Sequence, residues 1–375
     1  DGGPINGTAQ AGSAAVARDA QTAWLNPAGM TRLESREVML SFQPFKLGFE
    51  FRPSSAGTAD GADGGDQGGW FPGGGLFYAA PVSEKVAWGF SATSPSGLVL
   101  DPSDDWVGRY FMVKTQFAAI NLEPSIGYRL SDAWSIGGGI DFQYAALKQD
   151  IAVNRPANQP DGLVSLDGDS WQVGGSLSLM WEPAETRRFG LRWRSAVSHD
   201  LSGDVSLLDG VPTSTGMTIP QNLTFSVYQT VAPTVAVLFD FGWQEWSAFD
   251  KTVITIQNEG ARQIEIPRNF KDTWTFALGA HWQAGDDWLI MFGGGYTSPA
   301  VEDEYRTPDL PADEQVRLAL GGEYDVSESW RLGLNYTWLS LGYNPVNAQA
   351  GPLTGSVVGD YDAKAHLFGI YGSWR

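Results

Sequence analysis

The sequence predicts an all-β protein, a 14-stranded antiparallel transmembrane β-barrel with an N-terminal plug, or hatch, in its lumen. Three observations predict it. Long period-two runs carry aromatic residues at their tips, short and long connections alternate strictly, and the first 36 residues lack any strand pattern. The expected division is therefore a hatch over 1–36 and a barrel over 37–375.

The runs come first. Trp330, Leu332, Leu334, Tyr336 and Trp338 share one face, with Arg331, Gly333, Asn335 and Thr337 on the other. Trp274 to Trp282 and Val235 to Trp243 repeat the pattern, as do Trp171 to Trp181 and Phe189 to Val197. In the last run Val197 is expected on the outer face and Ala196 on the inner one. A tilted strand of about 9–11 residues crosses the hydrocarbon layer, and aromatic girdles mark its two boundaries. Soluble sandwiches use shorter strands, of about 5–6 residues.

The connections give an independent count. Short turns fall at Ser83-Glu84-Lys85, Ser131-Asp132-Ala133, Ala184-Glu185-Thr186, Ala232-Pro233-Thr234, Gly285-Asp286-Asp287 and Ser327-Glu328-Ser329. Longer polar loops are expected near 52–72, 99–114, 152–169, 201–219, 258–271, 298–313 and 343–362. Six turns and seven loops join 14 strands, with both chain ends on the periplasmic side. Short periplasmic turns and long outer loops are the barrel pattern.

Composition agrees. There are 16 tryptophans and 46 glycines, and the indole ring favours sites that are apolar at one end and wet at the other. No stretch approaches about 18 uninterrupted apolar residues, so a transmembrane helix is excluded. The net charge of −19 argues against nucleic acid as a partner. Acidic runs such as Asp101 to Asp105 and Glu302 to Glu304 read as solvated loops, or as cation-bridged contacts to lipopolysaccharide. There is no cysteine, hence no disulfide framework. No metal or cofactor is expected. The chain opens at Asp1 without a basic-then-apolar leader, so any signal peptide is expected to have been removed.

A barrel wider than about 8 strands leaves a bore that something must occupy. The Ala- and Gly-rich start has a helix-like stretch from Ala11 to Ala23, ended by Asn26-Pro27, and reads equally as a lumen plug or a periplasmic tail. Expected lumen-facing charges are Arg192, Arg194, Asp240, Arg317, Glu323 and Arg331, with apolar Leu289 and Met291 also inward.

Gly12-Ser13-Ala14-Ala15-Val16-Ala17-Arg18-Asp19-Ala20 and Ala23-Trp24-Leu25-Asn26-Pro27-Ala28-Gly29-Met30 resemble the N-terminal hatch of FadL-type outer-membrane transporters. Ile219-Pro220-Gln221-Asn222-Leu223-Thr224, Gly242-Trp243-Gln244-Glu245-Trp246-Ser247, Lys271-Asp272-Thr273-Trp274 and Arg306-Thr307-Pro308-Asp309-Leu310-Pro311 follow in the family's order. The resemblance implies a monomeric barrel in the outer membrane of a Gram-negative bacterium. It implies passive uptake of hydrophobic small molecules, from long-chain fatty acids to hydrocarbons. Hatch residues would be Asn26, Pro27, Ala28, Gly29 and Met30. Release would be lateral, through a wall gap at a kink in the third strand.

That strand is expected to start near Val86, which places Ser94, Pro95, Ser96 and Gly97 at the kink. Proline donates no ladder hydrogen bond, so pairing should fail there. Family members that bind fatty acids are expected to hold the carboxylate with basic residues. Lys148 sits in the matching region, although strict alternation points it outward, which keeps a neutral substrate open. The chain ends Trp374-Arg375, where outer-membrane barrels usually finish on an aromatic residue; an altered or trimmed terminus is expected. The competing readings are a water-filled porin for polar solutes, a loop-mediated receptor, and a hydrolase. Only His199, His281 and His366 could serve the last, and the adjacency of Ser198-His199-Asp200 does not make a triad, so no enzyme is expected.

Overall fold

A computed structural model describes residues 2–56, 60–155, 159–205, 211–256, 262–311, 313–349 and 355–375. Its wall is a closed antiparallel barrel of 14 strands, built from twenty strand segments because six of the strands are interrupted. Strand 1 is Glu37–Phe42 with Phe45–Ala56, and strand 2 is Gly69–Phe71 with Gly74–Pro81. Strands 3 to 6 are Val86–Leu100, Lys114–Arg129, Trp134–Val153 and Gly162–Ala184. Strand 7 is Arg187–Arg194 with Val197–Val205, and strand 8 is Val211–Ile219 with Asn222–Ala232. Strand 9 is Val235–Gln244 with Lys251–Ile256, and strand 10 is Arg262–Pro267 with Thr273–Gln283. Strands 11 to 14 are Trp288–Thr297, Gln315–Asp325, Trp330–Gln349 and Ser356–Trp374.

Strand 1 closes the ring on strand 14, with Val38 opposite Trp374 and Phe45 opposite Leu367. Closure matters because no water in the bilayer core satisfies an open edge. The alternating faces follow the pleat. Trp330, Leu332 and Leu334 are exposed to lipid while Arg331, Asn335 and Thr337 are buried inside. Stacked pairs such as Trp134–Trp181 and Phe241–Trp274 run along the outer face.

Two features differ from the sequence reading. The loops expected near 152–169, 201–219 and 343–362 are mostly strand, because the hairpins of strands 5–6, 7–8 and 13–14 continue past the membrane as paired ladders. Polar alternation outside the bilayer carries no apolar face to announce it. Second, Val197 is buried and Ala196 exposed, the reverse of the expectation. Strand 7 breaks at residues 195–196, and one step out of the pleat exchanges inside for outside. Beyond the break the strand leans into the lumen, where Leu201 packs with Phe117, Ala119 and Ala145 of strands 4 and 5.

The N-terminal segment lies inside this wall. Pro4–Thr8 and Pro27–Arg32 are 3-10 turns and Thr22–Leu25 is a single α-turn, so the helix expected over Ala11 to Ala23 does not form. Gly12 and Ala17 have positive φ, which no helix accommodates. Barrel side chains take the backbone groups a helix would have paired. The Gly12 and Ser13 N–H groups donate to Asp240, and Arg188 donates to the Ala15 and Val16 carbonyls.

Candidate functional site: a lumen cavity on the N-terminal segment

Opposite sides of the barrel hold the floor of the site. Asn335 donates to the Gly2 and Gly3 carbonyls, and Thr337 to that of Asn6. The Ser13 hydroxyl adds a third donor to the Asp240 carboxylate. Across the ring, Asn26 caps the turn that follows it: its side chain accepts from Ala28 N–H at 3.1 Å and donates to the carbonyls of Ala14 and Leu179. Ser178 accepts from the same Ala28 N–H at 3.0 Å. Contacts this close need inward-facing glycines. A Cβ on Gly190 would overlap the Ala14 carbonyl, one on Gly293 the Thr8 carbonyl, and one on Gly137 the Ala28 nitrogen. Met30 is buried against Gly89 of strand 3, which ties the Asn26–Met30 run to the strand expected to kink.

Above this floor is a cavity of about 600 Å³. Ile5, Trp24, Leu25, Phe117, Leu147, Val197, Met217, Ile219 and Phe270 give it apolar surface, with Ser, Thr and Gln side chains between them. Its charges are sorted. Arg194 sits over the Trp24 ring, is paired to Asp141 at 2.9 Å and is also bonded to Glu123. Arg268 forms a two-bond pair with Asp309 at 2.9 and 2.7 Å. Burial pushes the Asp309 carboxyl up, but the adjacent guanidinium more than offsets this and leaves it below its usual value. The other two cations differ. Among the described residues neither Arg192 nor Arg317 has a carboxylate at ion-pair distance. Arg192 reaches only the Trp24 carbonyl at 3.5 Å, and Arg317 bonds neutral Gln10 and Thr297.

Ser94, Pro95, Ser96 and Gly97 line the same cavity. Strand 3 does not end at the proline; it runs on to Leu100. Thr93 pairs with Asn121 and Ser96 with Ala119, so strand 3 holds one residue more than strand 4 across this interval. The bulge exchanges faces: Ala87, Gly89, Ser91 and Thr93 are buried below it, and Leu100 above it. On the other edge, pairing with strand 2 stops at Thr93 opposite Gly75. Among the described residues, strand 3 pairs from residue 94 upward only with strand 4.

Lys148 requires a correction. It lies on the exposed outer face between Gln116 and Asp167, while its neighbours Leu147 and Gln149 line the cavity. Strand 5 has no bulge there to turn it inward. The hydrolase constellation also fails in space. His199 points inward to Gln143, whereas Ser198 and Asp200 are exposed on the other face. The sequence reading missed the Arg268–Asp309 pair and the aromatic group Trp246, Phe249 and Phe270. Arg268 and the three aromatic residues lie where strands 9 and 10 leave the period-two pattern, and Asp309 lies in the connection between strands 11 and 12.

A lipid-facing 14-stranded wall encloses a half-apolar cavity that rests on the chain's own N-terminal segment and is lined in part by Ser94–Gly97 of strand 3, the layout of a transport barrel of the outer membrane. The chain belongs to the outer membrane protein transport protein family (OMPP1/FadL/TodX), whose model matches residues 2–375. It is 27% identical to a long-chain fatty acid transport protein of Salmonella typhi, over 71% of this chain and 69% of that one. Outer membrane protein P1 of Haemophilus influenzae is 22% identical, over 79% and 73%. Among solved structures it is similar to a Pseudomonas aeruginosa FadL homologue, with a TM-score of 0.91 and 19% identity, covering 98% and 96% of the two chains. The Ralstonia pickettii toluene transporter TbuX shares the fold, with a TM-score of 0.71 at 12% identity, covering 98% of each chain. The protein acts in uptake across the outer membrane of a Gram-negative bacterium.

Proposed function

We propose that this barrel takes up long-chain fatty acids, and with them neutral hydrocarbons, by binding them in the lumen cavity and releasing them sideways at strand 3. The observation that carries this reading is the continuity of the cavity with the Ser94–Gly97 break, where the wall loses its ladder on one side. An apolar solute gains about 0.8 kcal/mol per buried methylene, so the bilayer is a far better destination than periplasmic water. The N-terminal segment acts as the plug, and its Met30 contact with strand 3 lets a shift of the plug be felt at the break. Related chains are named for fatty acid transport and for toluene transport, which fits both substrate types. Strand 1 closes the ring on strand 14 within the one chain, and the barrel works as a monomer among lipid and lipopolysaccharide.

Arg192 and Arg317 favour an anionic head group, since they are the lining guanidiniums without a carboxylate partner among the described residues. A hydrogen bond to a charged group is worth about 1.5–3 kcal/mol. Arg192→Met together with Arg317→Met should weaken oleate binding about 10- to 100-fold and leave toluene binding unchanged. Titration calorimetry on the detergent-purified barrel measures both. Equal affinity of the double variant for oleate would refute the head-group role.

A further inference from the structure

The strand 3 break is not the wall's only interruption. Strand 8 pairs with strand 9 up to Asn222 opposite Gln244, and pairing resumes only at Thr215 opposite Ile254. Between these points residues 216–221 face 245–253 without a ladder, on the far side of the ring from strand 3. The Glu245 N–H donates to the Gln221 carbonyl at the lower end of the gap. The cause is the inward lean of strands 7 and 8, which carries Met217 and Ile219 against the Leu201 cluster and away from strand 9.

Neighbouring interruptions are sealed. Between strands 6 and 7, Ser195 and Gly175 exchange two hydrogen bonds of 2.9 Å, and a Cβ on Gly174 would press on Val197. Between strands 9 and 10, Asp272 accepts from the Trp243 indole and the Ser247 N–H, and the Asp250 carbonyl accepts from the N–H groups of Arg268 and Asn269. At the gap between strands 8 and 9 the foot is bridged, since the Gln221 side-chain amide also donates to the Glu245 carboxylate at 2.7 Å, but the stretch above it is open. A Cβ on Gly216 would meet nothing within 4 Å. The cavity lining includes Gly216, Pro220 and Asn222 from one edge and Trp243, Gln244 and Trp246 from the other.

Its height is fixed by the girdle. Trp193 and Trp243 stand at its foot, at the outer ends of their membrane-crossing runs, and the Trp193 indole donates to Gln221. Tryptophan at such a level marks the boundary between acyl chains and head groups. Unpaired backbone is tolerated at that level because water reaches it. Above the foot, the half-buried Trp246 and Phe270 rings pack together, and Phe249 joins them.

We infer that the gap between strands 8 and 9 is the inlet for ligand. A single-chain amphiphile dissolved in the outer leaflet slides its hydrocarbon tail past Trp243 and Trp246 into the lumen, and leaves on the opposite side at strand 3. The inference rests on the uptake reading above, and adds to it a separate door with a direction of travel.

The chain has no cysteine, so an engineered pair forms without competitors. Gln221→Cys with Glu245→Cys staples the foot of the inlet, and Gly216→Trp adds bulk at its upper end, where a Cβ meets nothing within 4 Å. The intact barrel, in vesicles carrying lipopolysaccharide, is given diazirine-bearing palmitate from outside, and label on the lumen peptide containing Arg192 is followed over time. Loading should slow at least about tenfold in the stapled and filled forms, and reduction should restore the stapled one. A barrel lacking Pro95 should load at the unmodified rate and fail to release. Loading of the stapled form at the unmodified rate overturns the inlet while leaving the uptake reading standing. Absence of lumen label in every form, the unmodified barrel included, overturns both.

Discussion

Replacing Gly190 by valine should turn the barrel into a leak for sugars. Gly190 faces inward on strand 7, and any Cβ there would overlap the Ala14 carbonyl. The segment cannot yield by a small shift. Next to Ala14, the Gly12 and Ser13 N–H groups are held by Asp240, and the Ala15 and Val16 carbonyls by Arg188. A rigid backbone, pinned on both sides of the clash, leaves the lumen as a unit. The bore of a barrel this wide is then water-filled, and liposome swelling with arabinose should rise roughly tenfold or more over the unmodified protein. Asp240→Ala should leak in the same direction and less, since it loses the Gly12 and Ser13 bonds without forcing a clash. Gly242→Ala is the control: its Cβ would make only an ordinary 3.4 Å contact with Thr275. Heat-modifiable mobility on a gel confirms that each variant still forms the barrel. A folded Gly190→Val barrel that remains sealed would show that the N-terminal segment does not plug the lumen.

Deleting Pro95 should abolish uptake without unfolding the protein. Three steps of strand 3, from Thr93 to Ser96, lie against two steps of strand 4, from Asn121 to Ala119. Removing one residue brings the two into step. It also keeps the alternation above the site intact, because the bulge is what exchanges the faces. An N–H replaces the proline's missing donor, so the edge toward strand 2 can extend its pairing. Uptake of radiolabelled oleate into vesicles should fall to the level of protein-free vesicles. Oleate affinity in detergent should stay within about twofold, since the deletion leaves Arg192 and Arg317 in place. Unimpaired uptake by the folded deletion variant would rule out strand 3 as the outlet.

Much of this was legible because a membrane barrel writes its fold in period two. The faces of Trp330–Trp338 and Trp274–Trp282 were readable since each outward residue meets lipid and each inward one does not. The short turns were readable since little but a turn fits between two such runs. Where that rule lapses, the reading failed. The hairpin extensions beyond the membrane have water on the outer side and no apolar face to count. Val197 was assigned outward because a two-residue break in strand 7 leaves no proline or glycine to betray it. The bulge in strand 3 does carry a proline, which is the local signal that drew attention to it.

The site divides along the same line. The alternation alone placed Arg192 and Arg317 on inward faces and put Lys148 outside, whereas the capping of Ala28 by Asn26 came only with the structure. Sequence by itself therefore determined the strand number and the two faces of the membrane-crossing wall. Only the tertiary structure decided which charges neutralise one another, because Arg268 and Asp309 meet across 41 positions. It alone set the fit of Gly190 to Ala14 and the parting of strand 8 from strand 9. These are consequences of closing a ring: residues remote in the chain become neighbours across a lumen, and no local period records which ones.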